Sequence, residues 1–368
     1  MNCPNERFIF EVANLQDSAE ILEILEEDDF DGRISLVYTR RPDGYSSFMK
    51  ESGKVHLIVC RDTQYNKVVA IGVCAIREYF VNGKIEKVGY LLGLRLRKEY
   101  RGKFKILVTG YDFIHSITKQ EGLYCYITTI LNENVYAQKL LEKPRSFMPS
   151  YEPMGDYVVH IIKTRKKRKL GNTFRQVQES DIPRIIEFIN NYGKQHQLYP
   201  VIREKDIVSG AYPGLRISDF YIMEDFSGEI LAAGAVWDQI SYKQYVVKKY
   251  GGVLNKIYPI SCILPVFGYP SLPKPESVLK FFTLSFWAVK NNNVKVFERF
   301  INGISAVRDD YSFFVVGMHE THNLSGFLKR KSTITYSSKL YTVDWDKTHK
   351  TVNGLNRNSS IYLECGLL

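Results

Sequence analysis

The strongest constraint on the fold is a pair of long β-rich runs, Lys67 to Phe80 and Ile85 to Leu96, joined at Asn82-Gly83. Asn-Gly adopts the left-handed backbone of a tight hairpin turn at little cost, so two such runs meeting there predict antiparallel strands. A third run, Val55 to Arg61, precedes them and extends the hairpin to a meander. Ahead of it the sequence predicts a strand at Phe8 to Val12 and a helix from Asp17, whose side chain would cap the helix amides while Glu20 sits three residues on, as in a capping box. Ile21, Leu22, Ile24 and Leu25 supply that helix with an apolar stripe, and a second helical stretch is expected near Ser46 to Glu51.

Beyond the meander come a basic loop KEYRGKFK (98–105), a helix from Ile106 to Gln120, a strand Leu123 to Ile130, a helix Val135 to Leu141 and a strand Tyr157 to Lys163. The same opening then recurs, since VANLQDSAEILEIL and VQESDIPRIIEFI form a weak internal repeat. The second half continues with strands near Asp219 to Glu224, Ile230 to Ile240 and Leu279 to Val289. A helix Val294 to Ile301, a strand Ser312 to Met318, a short helix Ser325 to Lys329 and a strand Ile334 to Val343 follow. At 368 residues the chain exceeds the size at which one core stops growing, and two α+β domains are expected. Their boundaries are 1–163 and 174–348, with a basic linker at 164–173 and a tail at 349–368, each domain a central, mostly antiparallel sheet flanked by helices. The insertion Tyr242 to Ser277 carries Pro259, Pro265, Pro270, Pro273 and Pro275, which predicts an irregular lid or packing loop.

A hydrophobic fraction of 45% with 13% aromatic residues excludes disorder. The longest apolar run, Val68 to Ile76, is far shorter than a bilayer span and the N-terminus lacks a secretory pattern, so a cytoplasmic protein without membrane partners is expected. Six cysteines without a CxxC pair fit neither a zinc cluster nor a disulfide framework and read as reduced thiols. The net charge of +10 suits an anionic partner. The run Lys163 to Lys169 reads as a solvated linker, and nucleic acid is not expected as the partner. His319-Glu320-Thr321-His322 is one residue short of zincin spacing and reads as a polar strand end, and the other histidines form no cluster, so no metal is expected.

The segment LGLRLRKEYRGKFKILVTGYDFI places a basic loop between a strand and a helix. Loop amides and the first helical turn present unpaired N–H donors at the positive end of the helix dipole, and Arg101, Lys103 and Lys105 add charge around Gly102. Such a place suits the pyrophosphate of a nucleotide-like cofactor.

With these residues the segment resembles the signature of the acetyltransferase-type (GNAT) family, and the order of elements is similar to that family along residues 8 to 163. The resemblance implies two tandem acyl-CoA N-acyltransferase-like domains, with acetyl-CoA or another acyl-CoA as co-substrate and an amine as acceptor, whose identity stays open. It implies cofactor contacts from Leu96, Arg97, Arg101, Gly102, Lys103, Phe104, Lys105 and Ile106, and from Asn134 at the start of the helix beside the pantetheine arm, with Ala137 following. The family's two later loop glycines fall at Phe104 and Ile106, where side chains would crowd the anion or send the loop on another path, and its leaving-group tyrosine falls at Leu141. Glu86 and Tyr90 are the candidate bases; Tyr136, one turn from the expected position, and Tyr126 on the neighbouring strand are candidate acids. In the second half, WAVKNNNVKVFERF keeps Lys290 and Lys295 without an Arg-Gly loop, while Asn323 and Gly326 resemble the Asn and Ala positions, which implies a degenerate copy. The alternative expectation is a non-catalytic protein that keeps the fold.

Overall fold

The structure, a computed structural model, describes residues 6–30, 34–165, 173–261, 272–332, 334–348, 353–356 and 358–368. Most of the expected basic linker (166–172), the middle of the proline-bearing insertion (262–271), Cys3, Cys262 and His349 lie outside the described residues.

Along the chain the elements are β1 (Phe8–Val12), α1 (Ser18–Glu26), β2 (Asp29–Phe30), β3 (Ile34–Thr39), α2 (Gly44–Met49), β4 (Lys54–Asp62), β5 (Lys67–Val81) and β6 (Lys84–Leu96). Next come α3 (Phe104–Thr118), β7 (Cys125–Leu131), α4 (Val135–Glu142), β8 (Ser150–Lys163), β9 (Phe174–Gln176), α5 (Ile182–Gly193), β10 (Tyr199–Pro200) and α6 (Glu204–Val208). The chain continues through β11 (Phe220–Glu224), β12 (Ile230–Trp237), β13 (Gln244–Tyr250), α7 (Gly252–Ile257) and β14 (Phe282–Val289). The last elements are α8 (Val294–Val307), β15 (Phe313–His319), α9 (Ser325–Lys331) and β16 (Ile334–Asp344).

The β5–β6 hairpin turns at Asn82 (φ 52°) and Gly83 (φ 77°), the left-handed pair that an Asn-Gly turn requires. Helix α1 buries Ile21, Ile24 and Leu25, but its cap differs from the expectation. A 3₁₀ turn, Leu15–Asp17, precedes the helix and moves the cap upstream. Asn14 Oδ1 accepts from the Gln16 amide at 2.8 Å and Asp17 accepts from the Asn14 amide at 2.8 Å, while Glu20 takes the Val68 amide of β5 at 2.7 Å. A second 3₁₀ turn, Glu179–Asp181, opens α5 in the same way, with Asp181 accepting from the Gln178 amide at 3.0 Å. The insertion also departs from its expected irregularity. Its prolines fall outside residues 244–257, which form β13 and α7, and β13 pairs with β3 from Gln244↔Thr39 to Tyr250↔Ile34.

Two compact units interleave along the chain. The first comprises residues 1–75, 91–121 and 239–280, and the second 76–90, 122–238 and 281–368, so that β5 and β6 each contribute to both. In the first unit the strand order is β1-β4-β5-β6, with a separate sheet β13-β3-β2. Its core joins Ile21, Ile24 and Leu25 of α1 to Phe48 of α2 and Leu57, Val59, Ile71 and Val73 of the sheet. In the second unit the order is β6-β7-β16-β8-β15-β14-β12-β11-β9. Most neighbours are antiparallel; β6–β7 and β14–β15 are parallel. Trp237, Trp287, Phe282, Phe286, Phe297 and Phe300 dominate its core. Among the described residues no helix is long and apolar enough to cross a membrane.

Candidate functional site

The basic loop lies in the first unit, between the end of β6 and α3. Arg97 is buried rather than offered to a ligand. Its Nε donates to Val68 O at 2.7 Å, its Nη2 pairs with Glu23 at 2.7 Å and its Nη1 with Glu27 at 3.4 Å, so it ties the end of β6 to β5 and α1. Arg101 is exposed, pairs with Asp28 and reaches back to Leu96 O at 3.4 Å. Gly102 takes φ +85° with nothing within 4 Å of where a Cβ would stand, so the backbone conformation, not crowding, calls for glycine. Lys103 Nζ lies over the rings of Tyr100 (4.8 Å) and Phe8 (5.3 Å), and Lys105, largely exposed, stands 3.9 Å from Glu6.

The two side chains at the family's glycine positions do not crowd the loop's open side. Ile106 is buried within α3 and Phe104 is half-buried. The loop has instead taken a tighter path, in which Lys103 N–H donates to Tyr100 O, Phe104 N–H to Gly102 O and Ile106 N–H to Lys103 O. Those amides are committed within the turn, so an anion at this loop would meet the three basic side chains rather than those amides.

The remaining expected residues belong to the second unit. Strands β6 and β7 run parallel through Val88↔Cys125, Gly89↔Tyr126 and Tyr90↔Ile127. Tyr90 is therefore the last residue of β6 paired with β7; it is buried, and its hydroxyl lies 2.7 Å from Thr129 Oγ1. Glu86 sits four residues back along the same strand, about 13 Å away at the usual rise, towards the hairpin. Asn134 caps α4, its Oδ1 accepting from the Ala137 amide at 3.1 Å. Tyr136 is 68% exposed, Leu141 is buried, and Tyr126 packs against Trp345 at 4.7 Å. His319 and His322 are each engaged separately, His319 with Thr321 Oγ1 and Met154 O, His322 with the Tyr192 hydroxyl and the Leu324 amide. An open cleft of about 710 Å³ in the second unit, lined by Ile182, Ile207, Tyr212, Leu215 and Arg216 among others, holds none of the expected site residues.

A residue absent from the expectations stands out by its backbone. Gly93, three residues past Tyr90 on β6, has φ +66°, and a Cβ there would meet Phe48 and Val73 at 3.3 Å. A glycine inside a strand pattern is the sequence signal for such a left-handed backbone. The second half repeats the arrangement. Strands β14 and β15 pair in parallel at Phe282↔Phe314 and Thr283↔Val315, and three residues past Thr283 comes Phe286 with φ +51°. Here the amide's partner is visible: Phe286 N–H donates to a carboxylate oxygen of Glu364 at 2.6 Å. No residue type signals this second left-handed residue in the sequence.

Comparison with known structures defines the fold class. The Saccharomyces cerevisiae N-myristoyltransferase with bound myristoyl-CoA superposes with a TM-score of 0.60 at 11% identity, covering 93% of this chain and 84% of that one. A GCN5-related N-acetyltransferase from Anabaena variabilis superposes with a TM-score of 0.50 at 12% identity, covering 91% of this chain and 72% of that one. The chain therefore has the fold of GNAT-type N-acyltransferases, along nearly its whole length. No protein-family model and no curated protein sequence matches it.

Proposed function

We propose that the chain is an acyl-CoA-dependent N-acyltransferase, moving an acetyl or longer acyl group from coenzyme A to an amine. The observation that carries this reading is the left-handed residue three positions past the last parallel pair, found at Gly93 and again at Phe286, where the second copy's amide holds a carboxylate oxygen. A backbone N–H aimed at a fixed point, away from the strand ladder, stabilises the negative charge that develops on a thioester oxygen when an amine attacks its carbonyl carbon. The thiolate then departs, the C–S bond breaks as the C–N bond forms, and the ammonium proton passes to a base.

In this reading Gly93 faces the thioester oxygen, and Arg101, Gly102, Lys103 and Lys105 hold the pyrophosphate. Leu96, Phe104 and Ile106 shape the loop, and Arg97 fixes the strand end from beneath. Tyr90, buried where the pairing ends, is the first acid–base candidate; Glu86 and Tyr136 follow it, and Asn134 contributes by beginning α4. The tandem organisation, 1–163 and 174–348, is part of the proposal. It is supported by the recurring order β1-β4-β5-β6 with parallel β7, and β9-β11-β12-β14 with parallel β15. The last strand of each half pairs with the other half, β16 with β7 and β8 with β15.

A calorimetric titration with acetyl-CoA and myristoyl-CoA, compared with ADP at equal ionic strength, tests the reading. Saturable binding stronger for a thioester than for ADP is the expected result, and the tighter of the two thioesters reports the acyl length. Binding no stronger than ADP's would sink it.

A further inference from the structure

In the second half, the place that corresponds to Gly93 is occupied by the chain itself. Past Thr283 and Val315, residues 361–367 lie against both β14 and β15. A Cβ on Gly317 of β15 would stand 2.8 Å from Cys365 Cβ, and one on Gly366 would stand 2.9 Å from Ser285 Oγ of β14. The segment is fastened on all sides. Gln197 N–H donates to Ser360 O and Tyr362 N–H to Gln197 O, the Tyr157 hydroxyl donates to Leu363 O at 2.8 Å, and Arg77 Nη1 donates to Leu367 O at 3.3 Å.

At its centre is Glu364, 1% exposed. One carboxylate oxygen accepts from the Phe286 amide at 2.6 Å and the Tyr362 hydroxyl at 2.8 Å; the other accepts from the Gly366 amide at 3.0 Å. A buried carboxyl surrounded by donors is matched to its ionised, acceptor-only form. Phe286 meanwhile holds a left-handed backbone that is costly for a residue with a Cβ and persists only where its surroundings enforce it. A structural tail needs neither feature, since apolar residues would fill the same space without burying a charge.

We propose that the Phe286 amide is the anion hole of a second acyl-transfer site, closed by an internal ligand, the Glu364 carboxylate, so that the chain binds one acyl-CoA and not two. The count rests on the acyltransferase reading above; the hole and its ligand class, a small carboxylate, do not. Replacing Glu364 by Ala vacates the hole while leaving the donors in place. Glu364→Ala is expected to lower the melting temperature by roughly 5 °C. Acetate at about 0.1 M, against chloride of equal ionic strength, then raises the melting temperature of the variant and not of the parent protein, because a ligand stabilises only the state that binds it. An equal response of both proteins overturns the proposal. Should Glu364→Ala not fold, Glu364→Gln serves in its place: its amide cannot accept at every donor, and a melting temperature equal to the parent's overturns the ionised ligand. Titration of the parent protein with acyl-CoA is expected to give one equivalent per chain, and two equivalents overturn the closure. Absence of any acyl-CoA binding counts against the acyltransferase reading, and the acetate experiment still decides the role of Glu364.

Discussion

Arg101 and Lys103 are held by weak, solvent-exposed contacts, an ion pair with Asp28 and the faces of two rings, so neither contributes much to folding. Their charge is available to a ligand. The double variant Arg101→Glu, Lys103→Glu is expected to lower affinity for a coenzyme A thioester by roughly 100-fold, from two charge-assisted contacts of about 1.5 kcal/mol each. The melting temperature stays within about 2 °C of the parent's. Calorimetry and a thermal scan on the same sample check both halves, and unchanged affinity removes the loop from the site. The basic loop was legible from Arg101, Gly102 and Lys103 because charge and glycine are properties of the residue itself. What Phe104 and Ile106 do there was not legible, since a side chain's direction depends on where α3 begins. Ile106 falls on the buried face of that helix, so a residue that looked like an obstruction in the sequence is part of the core.

Among the elements, those with local signals were legible: the β5–β6 hairpin from Asn82-Gly83, and the stripe of α1 from its apolar spacing. The β13–β3 pair was not, because each strand is short, they lie some 200 residues apart, and the nearby prolines masked the alternation of the second. Nor could the position of β16 between β7 and β8 be read, since strand order is set by non-local pairing rather than by composition. The insertion is fastened at one point that can be tested. Gln244 Oε1 accepts from the Arg41 amide at 3.0 Å, and its Nε2 donates to Arg41 O at 2.9 Å and Ile240 O at 2.6 Å. Gln244→Leu keeps the volume and removes all three bonds, leaving the Arg41 amide and carbonyl without them in a partly buried place. The expected cost is about 2 kcal/mol in a urea titration. A change below about 0.5 kcal/mol would mean that β13 is held by its backbone ladder alone.

For the whole molecule, buried histidines give the steepest prediction. Burial holds His322 at about 3, with His196 and His319 adding to the effect, and holds His160 at about 4 with help from Lys329; the ordinary value is 6.5. Burial also lowers His56, His196 and His319. Below pH 6.5 the unfolded chain takes up protons that the folded chain refuses, so stability falls as the pH falls, until the folded values are reached. Each neutral ring contributes a slope of up to about 1.4 kcal/mol per pH unit in that window. Carboxylates act later. Asp181, held at about 2 by Arg175, loses its contribution only as the pH falls from 3.8 towards 2. Glu364 acts in the opposite direction, because burial raises it, and the folded state binds its proton more readily than the unfolded one. Stability should therefore begin to fall below about pH 6.5, well before paired carboxylates such as Asp181 take up protons, and urea midpoints collected from about pH 7.5 to 4.5 would trace it. Replacing His160 and His322 together by Gln should cut the slope by up to about 2.7 kcal/mol per pH unit, whatever it does to stability at neutral pH. A double variant whose slope from about pH 6.5 to 4.5 equals the parent's would mean that these two rings accept protons in the folded state, and hence that the second unit's core opens to water without unfolding.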